Sequence, residues 1–307
     1  MDALAERAVA AYLGLALGDA LGATVEFMTP GEIAAQYGVH DRIRGGGWLR
    51  LKPGQVTDDT GMNLALGEAI LTAGGVEALA VARAFDRWMR AKPVDIGNTV
   101  RRGIVHFRLH GEPTVPPDAH GAGNGAAMRV LPAALATLGR AEAEVRAACR
   151  LQARVTHHHP LSDAACECLG LMLQDALRGA DRRQLLARRA AALVTAHPAF
   201  AFAGPPRVNP SGYVVETLQA VFQALARTDD FRGCLVDVVN RGGDADTTGA
   251  ICGMLAGAVH GLEGLPEDWL RALDPAVQDA CRNQALALLA LARSARGHSA
   301  PTVVTLP

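Results

Sequence analysis

The chain is expected to be all-α, and three observations lead there. Half of its 307 residues are apolar, alanine and leucine are abundant and aromatics make up only 4%, a mixture that favours helix. Apolar residues recur at helical spacing, as in 213–227, where Val214, Val215, Leu218, Val221, Phe222 and Leu225 form one stripe. Glycine and proline, which interrupt helices, collect between such segments.

Taken in order, the pattern predicts a helix over 3–22 and a short one opened by Thr29-Pro30, proline being favoured at the first helical position. An irregular stretch follows at 38–56, with Gly45-Gly46-Gly47. Helices are then expected over 58–73, 76–91 and 94–108, before a second irregular stretch at 109–124 with Pro113, Pro116 and Pro117. The next helices are 125–138, 141–155, 161–178 and 182–196, and a third irregular stretch, 197–212, holds four prolines. The last helices are 213–227, 230–240, 247–261 and 275–293. Loops of this length inside a compact domain are more often functional than idle. No shift in composition marks a boundary, so residues 1–307 read as a single domain.

Charge and cysteine usage narrow the class. Thirty lysines and arginines nearly balance 31 aspartates and glutamates, so no basic surface points to nucleic acid. Cys149, Cys166, Cys168, Cys234, Cys252 and Cys281 lack Cys-x-x-Cys spacing and sit in apolar helical stretches, as small hydrophobes in a reducing compartment do. Nothing near Cys149, Cys166 or Cys168 would activate a thiol nucleophile. The N-terminus carries acids where a signal peptide needs bases, and no apolar run reaches the length of a membrane span. A cytoplasmic, monomeric protein is the expectation.

A second regularity links the two ends of the chain. Gly14, Gly18 and Gly22 recur every four residues, as do Gly249, Gly253, Gly257 and Gly261. Each glycine costs helix propensity, about 1 kcal/mol relative to alanine, which close backbone approach to another helix would offset. The two stripes pack either on each other or on separate partners. The first arrangement brings Asp19 and Glu26 near Asp244 and Asp246.

Two distant segments carry the chemistry. Val56-Thr57-Asp58-Asp59-Thr60 and Gly242-Gly243-Asp244-Ala245-Asp246-Thr247-Thr248-Gly249 each crowd two carboxylates and two threonine hydroxyls into the start of a helix. Either alone reads as an ordinary cap, but capping needs one such oxygen rather than four. A helix N-terminus offers only about half a unit of positive charge. Hard divalent cations would relieve the repulsion between these carboxylates and favour such oxygen ligands. Asp58 and Asp59 diverge by roughly 100° on a helix, which suits two metals better than one. With Glu26 the cluster holds five negative charges against the four of two divalent ions. Such centres activate water and hold substrate oxygens.

At these residues the sequence resembles the ADP-ribosylglycohydrolases. The likeness rests on Gly14-Leu15-Ala16-Leu17-Gly18-Asp19-Ala20-Leu21-Gly22, Thr57-Asp58-Asp59-Thr60, Gly123-Asn124-Gly125-Ala126-Ala127-Met128-Arg129 and Asn240 to Gly249. Tyr37-Gly38-Val39, Gly45 to Leu49, Gly54-Gln55-Val56 and Pro93-Val94-Asp95 resemble the branch of that family that activates nitrogenase reductase. The resemblance implies an all-α fold with a cleft holding two divalent cations, Mn²⁺ or Mg²⁺. It implies cleavage of the N-glycosidic bond between ADP-ribose and a protein arginine, with dinitrogenase reductase as the substrate protein. By motif position the metal ligands are Thr57, Asp58, Asp59, Asp244, Asp246 and Thr247, with Glu26 beside them. Asp95, Asp59 and Glu26 take the catalytic roles, Asp95 as a mobile acid. The ADP-ribose site comprises Gly123, Asn124, Gly125, Met128, His157, His158 and Tyr213. The branch is further regulated by PII-type signalling proteins and sequestration at an ammonium channel, which implies reversible membrane association through a partner. One departure stands out: Gly61 follows Asp-Asp-Thr where relatives carry Glu or Gln, which puts metal affinity in question.

Read without the family, Gly123-Asn124-Gly125 is either a diphosphate cradle or a plain turn. Thr156-His157-His158-His159-Pro160 offers nitrogen ligands poorly suited to an all-oxygen centre. Tyr213 either stacks on an adenine or packs at a helix start. Trp88 and Trp269 read as core or partly exposed aromatics, whereas Trp48, in its glycine-rich loop, is placed to face a protein substrate. Two further readings stay open: a hydrolase for another ADP-ribosyl linkage or small ADP-ribosyl metabolite, and an ADP-ribose-binding relative weak in turnover.

Overall fold

Helix α1 (Ala3–Gly22) opens where the Asp2 carboxylate accepts the Ala5 amide, and from Ala8 to Gly22 it is buried all round. A helix apolar on every side belongs at the centre of a fold. The computed structural model describes residues 1–297, and among them there are helices and loops but no strand. Residues 298–307, the end of the expected single domain, lie outside the described residues.

Following α1 are α2 (Pro30–Tyr37), α3 (Asp58–Ala73), α4 (Ala78–Arg90), α5 (Asn98–His110), α6 (Leu131–Ala136), α7 (Glu142–Ala153) and α8 (Pro160–Leu177). Then come α9 (Arg182–Leu185), α10 (Ala191–Ala196), α11 (Val214–Arg227), α12 (Phe231–Val239), α13 (Ala245–His260), α14 (Glu267–Ala272) and α15 (Pro275–Gly297). The buried side chains form one contiguous hydrophobic cluster. Helices α3, α6 and α15 pack around α1, while α8, α11 and α12 flank α13.

The glycine stripes meet each other. A Cβ on Gly18 would lie 2.0 Å from the Gly249 carbonyl oxygen, and one on Gly14 would lie 2.2 Å from that of Gly253. In return, Gly249 faces Gly18, Gly253 faces Gly14 and Gly257 faces Ala10. Helices α1 and α13 therefore run antiparallel with backbones touching, and any larger residue would force them apart. Gly261 is not part of this seam; it ends α13 with a positive φ of 71°. The geometry sets the C-terminal end of α1 beside the N-terminal end of α13, so the distant carboxylates share one place.

Several boundaries differ from the sequence pattern. Helix α5 starts at Asn98 rather than 94, because Asp95 turns its carboxylate onto the Ile96 amide and Gly97 donates to Asp58. Helix α6 starts at Leu131 rather than 125. Residues 125–130 instead form turns anchored by Asn124, whose amide bonds the Gly212 carbonyl. The expected helix 182–196 is interrupted by a π-turn over Leu186–Ala190, where Arg189 turns in to Asp175 and Glu142. Helix α14 was not expected from the pattern, since it is short and begins with Glu267-Asp268; it buries Trp269, whose indole N–H donates to the Asp41 carbonyl. All six cysteines are buried and unbridged.

Candidate active site and metal centre

The start of α3 is capped from another helix. Asp19, fully buried on α1, accepts the Thr57 and Thr60 amides at 3.0 Å each and both threonine hydroxyls. Thr57 is the N-cap residue and Asp19 reinforces it, so Asp58 and Asp59, the first two helical residues, are not needed as caps. The two aspartates are left over as buried carboxylates. Asp58 Oδ2 receives only the Gly97 amide, at 3.3 Å. Asp59 Oδ2 takes the Thr247 hydroxyl at 3.3 Å and lies 3.3 Å from Thr57 Oγ1, whose proton goes to Asp19, while Asp59 Oδ1 is buried with no hydrogen-bond partner.

From the other side, α13 delivers its N-terminal carboxylates. Asp246 Oδ1 accepts the Thr247 amide at 2.9 Å, and its Oδ2 lies 3.5 Å from Thr57 Oγ1. Asp244 Oδ2 accepts the Asn124 side-chain amide at 2.6 Å. Glu26, just after α1, has an oxygen within 4.8 Å of oxygens on Asp244 and Asp246. Its Oε2 is held by the Trp48 indole N–H at 2.6 Å.

Charge crowding shows in the titration behaviour. Burial, opposed by the Trp48 bond but helped by Asp244, Asp95 and Asp58, pushes Glu26 up to about 8. Burial and then the charges of Asp95 and Asp19 push Asp58 up to about 7. Asp59 and Asp246 are driven well above the ordinary carboxylate range, first by burial and then by their acidic neighbours. Among the described residues no lysine or arginine pairs with any of them. A buried carboxylate without a counter-charge is costly. An all-oxygen donor set that includes an unpartnered buried oxygen fits hard divalent cations.

These groups floor a cleft of about 560 Å³. Glu26, Asp58, Asp244, Asp246 and Thr247 reach into it, while Thr57 and Asp59 lie beneath. Asp95 and the N-terminal turn of α5 line the cleft, as do Gly123, Asn124, Gly125, Met128 and Gly212, with Gly125 close against Val100 of that turn. His157 is buried behind the glycines: a Cβ on Gly123 would meet its Nε2, and one on Gly125 its Cε1, each at 3.0 Å. Burial lowers its pKa to about 3, so the ring is neutral, with Nδ1 2.8 Å from Thr156 Oγ1.

Arg129 holds this wall in place. Fully buried, its guanidinium lies over the Phe85 ring and donates to the Gly125 carbonyl, the Gln152 side chain and carbonyl, and Thr156 Oγ1. One side chain thus anchors both the glycine turn and the threonine that orients His157.

Two residues expected at the ADP-ribose site stand elsewhere. His158 points away from the cleft, its Nδ1 on the Val115 carbonyl, in a separate hollow lined by Thr99, His106 and Pro116. Consecutive residues leaving a helix cannot both face one wall, and His157 takes it. Tyr213 pairs its backbone with Gly123 and stands half-exposed beside the cleft without lining it. Gly61 lies on the far face of α3, where a Cβ would meet the Trp88 indole nitrogen at 2.9 Å. Its lost side chain therefore faces a groove with Leu64 and Gln284 and not the carboxylates. Sequence reasoning missed the cap role of Asp19, and missed Phe27 and the α5 turn Asn98-Thr99 as cleft walls. For the α5 turn the signal was Gly97-Asn98-Thr99, which reads as a helix start.

Comparison with known proteins fits this geometry. The sequence model described as ADP-ribosylglycohydrolase matches residues 1–299. The chain is 52% identical over 289 residues to the ADP-ribosyl-[dinitrogen reductase] glycohydrolase of Rhodospirillum rubrum, covering 94% of this chain and 97% of that protein. It is 33% identical to the ADP-ribosylarginine hydrolase Tri1 of Serratia proteamaculans, over 86% of this chain and 74% of that one. Among solved structures, an ADP-ribosylglycohydrolase-related protein complex superposes with a TM-score of 0.85 at 37% identity, covering 95% of this chain and all of that chain.

Proposed function

This chain belongs to the ADP-ribosylglycohydrolase family, and from that premise we propose that it removes ADP-ribose from an arginine of dinitrogenase reductase. The observation that carries the reading is the convergence of Thr57–Asp59 with Asp244–Thr247, with one Asp59 oxygen left unpartnered, at a cleft that a glycine turn also lines. The relative from Rhodospirillum rubrum, named for this substrate, matches nearly end to end.

Glu26, Thr57, Asp58, Asp59, Asp244, Asp246 and Thr247 would hold two divalent cations, Mn²⁺ or Mg²⁺. At such a site divalent cations supply acidified water and positive charge for the hydroxyls of the ribose. The chain's own groups do the rest. Gly123, Asn124 and Gly125 present the wall on which the diphosphate lies, with Asn124 spanning from Asp244 to Thr217. Neutral His157 fills the space behind them without adding charge. Asp95 keeps one oxygen on the Ile96 amide and has the other free for the guanidine nitrogen of the leaving arginine. Its segment is tied to Asp58 through Gly97, so moving Asp95 also moves a ligand's partner. Among the described residues no helix is long and apolar enough to cross a membrane.

Incubation of the purified protein with Mn²⁺ and ADP-ribosylated dinitrogenase reductase should release ADP-ribose and restore the unmodified arginine. Binding of ADP-ribose with no release at any metal concentration would leave only a binding protein.

A further inference from the structure

Phe27 is unusual on two counts. Its φ of 64° is a left-handed conformation that bulky side chains rarely adopt, and its ring is 65% exposed. The backbone enforces this: the Phe27 amide donates to the Gly243 carbonyl at 2.7 Å, and Gly243 donates back to Met28. Strain and an exposed aromatic both oppose folding and tend to persist where function uses them. The ring meets Trp48, itself 52% exposed, at a centroid distance of 5.4 Å and a 48° tilt. Trp48 is fixed in turn by its bond to Glu26 and by Gly47, where a Cβ would strike the Ala23 carbonyl at 2.3 Å. An aromatic pair therefore lines the cleft beside Glu26, which Trp48 holds by its hydrogen bond.

Aromatic faces combined with carboxylates make the environment that recognises a guanidinium, which is planar, weakly hydrated and always charged. We propose that Phe27 and Trp48 form the arginine-side subsite of the cleft, stacking the substrate guanidinium while Asp95 and Glu26 face its charge. The proposal rests on the hydrolase reading above and adds to it what selects an arginine linkage. Phe27 is a specificity residue in this account, since it would bind the leaving group and not the sugar.

The test uses the Mn²⁺-loaded enzyme and ADP-ribosyl-Nα-acetylarginine amide, a substrate with no protein surface. Phe27→Gly suits the left-handed backbone and so preserves the fold. It should raise KM about 3- to 30-fold with kcat within a factor of about two, and leave the affinity for ADP-ribose unchanged by calorimetry. Phe27→Tyr, which keeps the ring, should retain the wild-type KM. An unchanged KM in Phe27→Gly overturns the proposal, as does an equal loss of ADP-ribose affinity. A defect seen only with the intact modified protein also overturns it, in favour of a general docking surface. Wild-type enzyme that fails to cleave this substrate sinks the arginine-hydrolase reading and the subsite with it; wild-type turnover with an indifferent Phe27→Gly sinks the subsite alone.

Discussion

Helices α2 and α3 both open on a threonine with carboxylates in the first turn, yet the two ends are physically opposite. At α2, Thr29 and Glu32 satisfy each other in a solvent-exposed capping box, the Glu32 carboxylate accepting the Thr29 amide and hydroxyl at 2.7 and 2.8 Å. Those bonds hold Glu32 below its ordinary range. At α3 the N-cap Thr57 is backed by Asp19 from α1, which takes the Thr57 and Thr60 amides, and Asp58 and Asp59 are left buried, under-bonded and pushed upward. The same residue types thus stabilise one helix and burden the other. What separates a cap from a ligand set is whether its oxygens already have partners.

The comparison can be broken most sharply at Asp59 and Asp246. Asp59→Asn and Asp246→Asn should each lower Mn²⁺ affinity and cut turnover by more than about 100-fold, beyond the usual cost of losing an outer-shell partner. In chelator the same proteins should melt higher than wild type, because each substitution removes a buried carboxyl that must take up a proton to fold without metal. The double variant should lose little more activity than either single one, since the groups act as a unit. Metal titration calorimetry and melting curves with and without Mn²⁺ provide the check; unchanged affinity in both variants would make these residues caps after all.

A smaller effect is expected from pH. Glu26 and Asp58 have folded pKa values near 8 and 7, above their unfolded ones. Between pH 6.5 and 8 the folded chain therefore binds more protons than the unfolded chain, and stability falls as pH rises. His157, neutral when folded, acts with the opposite sign below its unfolded value of 6.5, outside this window. Asp59 and Asp246, also raised, act in the same sense, so in chelator the fall should be at least about 2 kcal/mol, several degrees in Tm. Saturating Mn²⁺ should abolish or reverse it by compensating the ionised carboxylates. A chelated protein whose Tm is flat across the window would mean that the cluster is not burdened in the way the contrast with α2 requires.

How much of this was legible in the residues follows from the range of each interaction. Helices 3–22 and 58–73 were read to the residue because a run of strong helix formers and an Asp or Thr cap are local signals. The start of α6 was misread because the turn over 125–130 depends on Asn124 bonding Gly212 and on Arg129 reaching back to Gly125, contacts that periodicity does not encode. The glycine stripes announced close packing but not their partner; that depends on Gly18 and Gly249 meeting across the core. Within the cluster, Asp58, Asp59, Asp244 and Asp246 stood out by density alone. Asp19 did not, because one aspartate in an Ala-rich helix looks like any other until α3 is docked onto it. Phe27 was invisible for a related reason: its significance lies in a backbone angle that only the pairing with Gly243 imposes.

The smallest effect belongs to the α2 end and completes the contrast. Thr29→Ala removes the acceptor of the Glu32 amide and one donor to the Glu32 carboxylate, in full contact with water. The cost should be about 1 kcal/mol of stability, opposite in sign to the rise expected for Asp59→Asn in chelator. Metal affinity and turnover should not move, since the capping box shares no bond with the carboxylate cluster. Helix α2 does lie close behind the site in sequence, Met28 being bonded to Gly243. A fall in Mn²⁺ affinity in Thr29→Ala would therefore mean that the turn from Glu26 to Thr29 transmits strain to Asp244, and that the two helix starts are parts of one device. Equal metal affinity with a lowered Tm would establish that one cap can be lost as a purely local matter while the other end cannot lose a single oxygen.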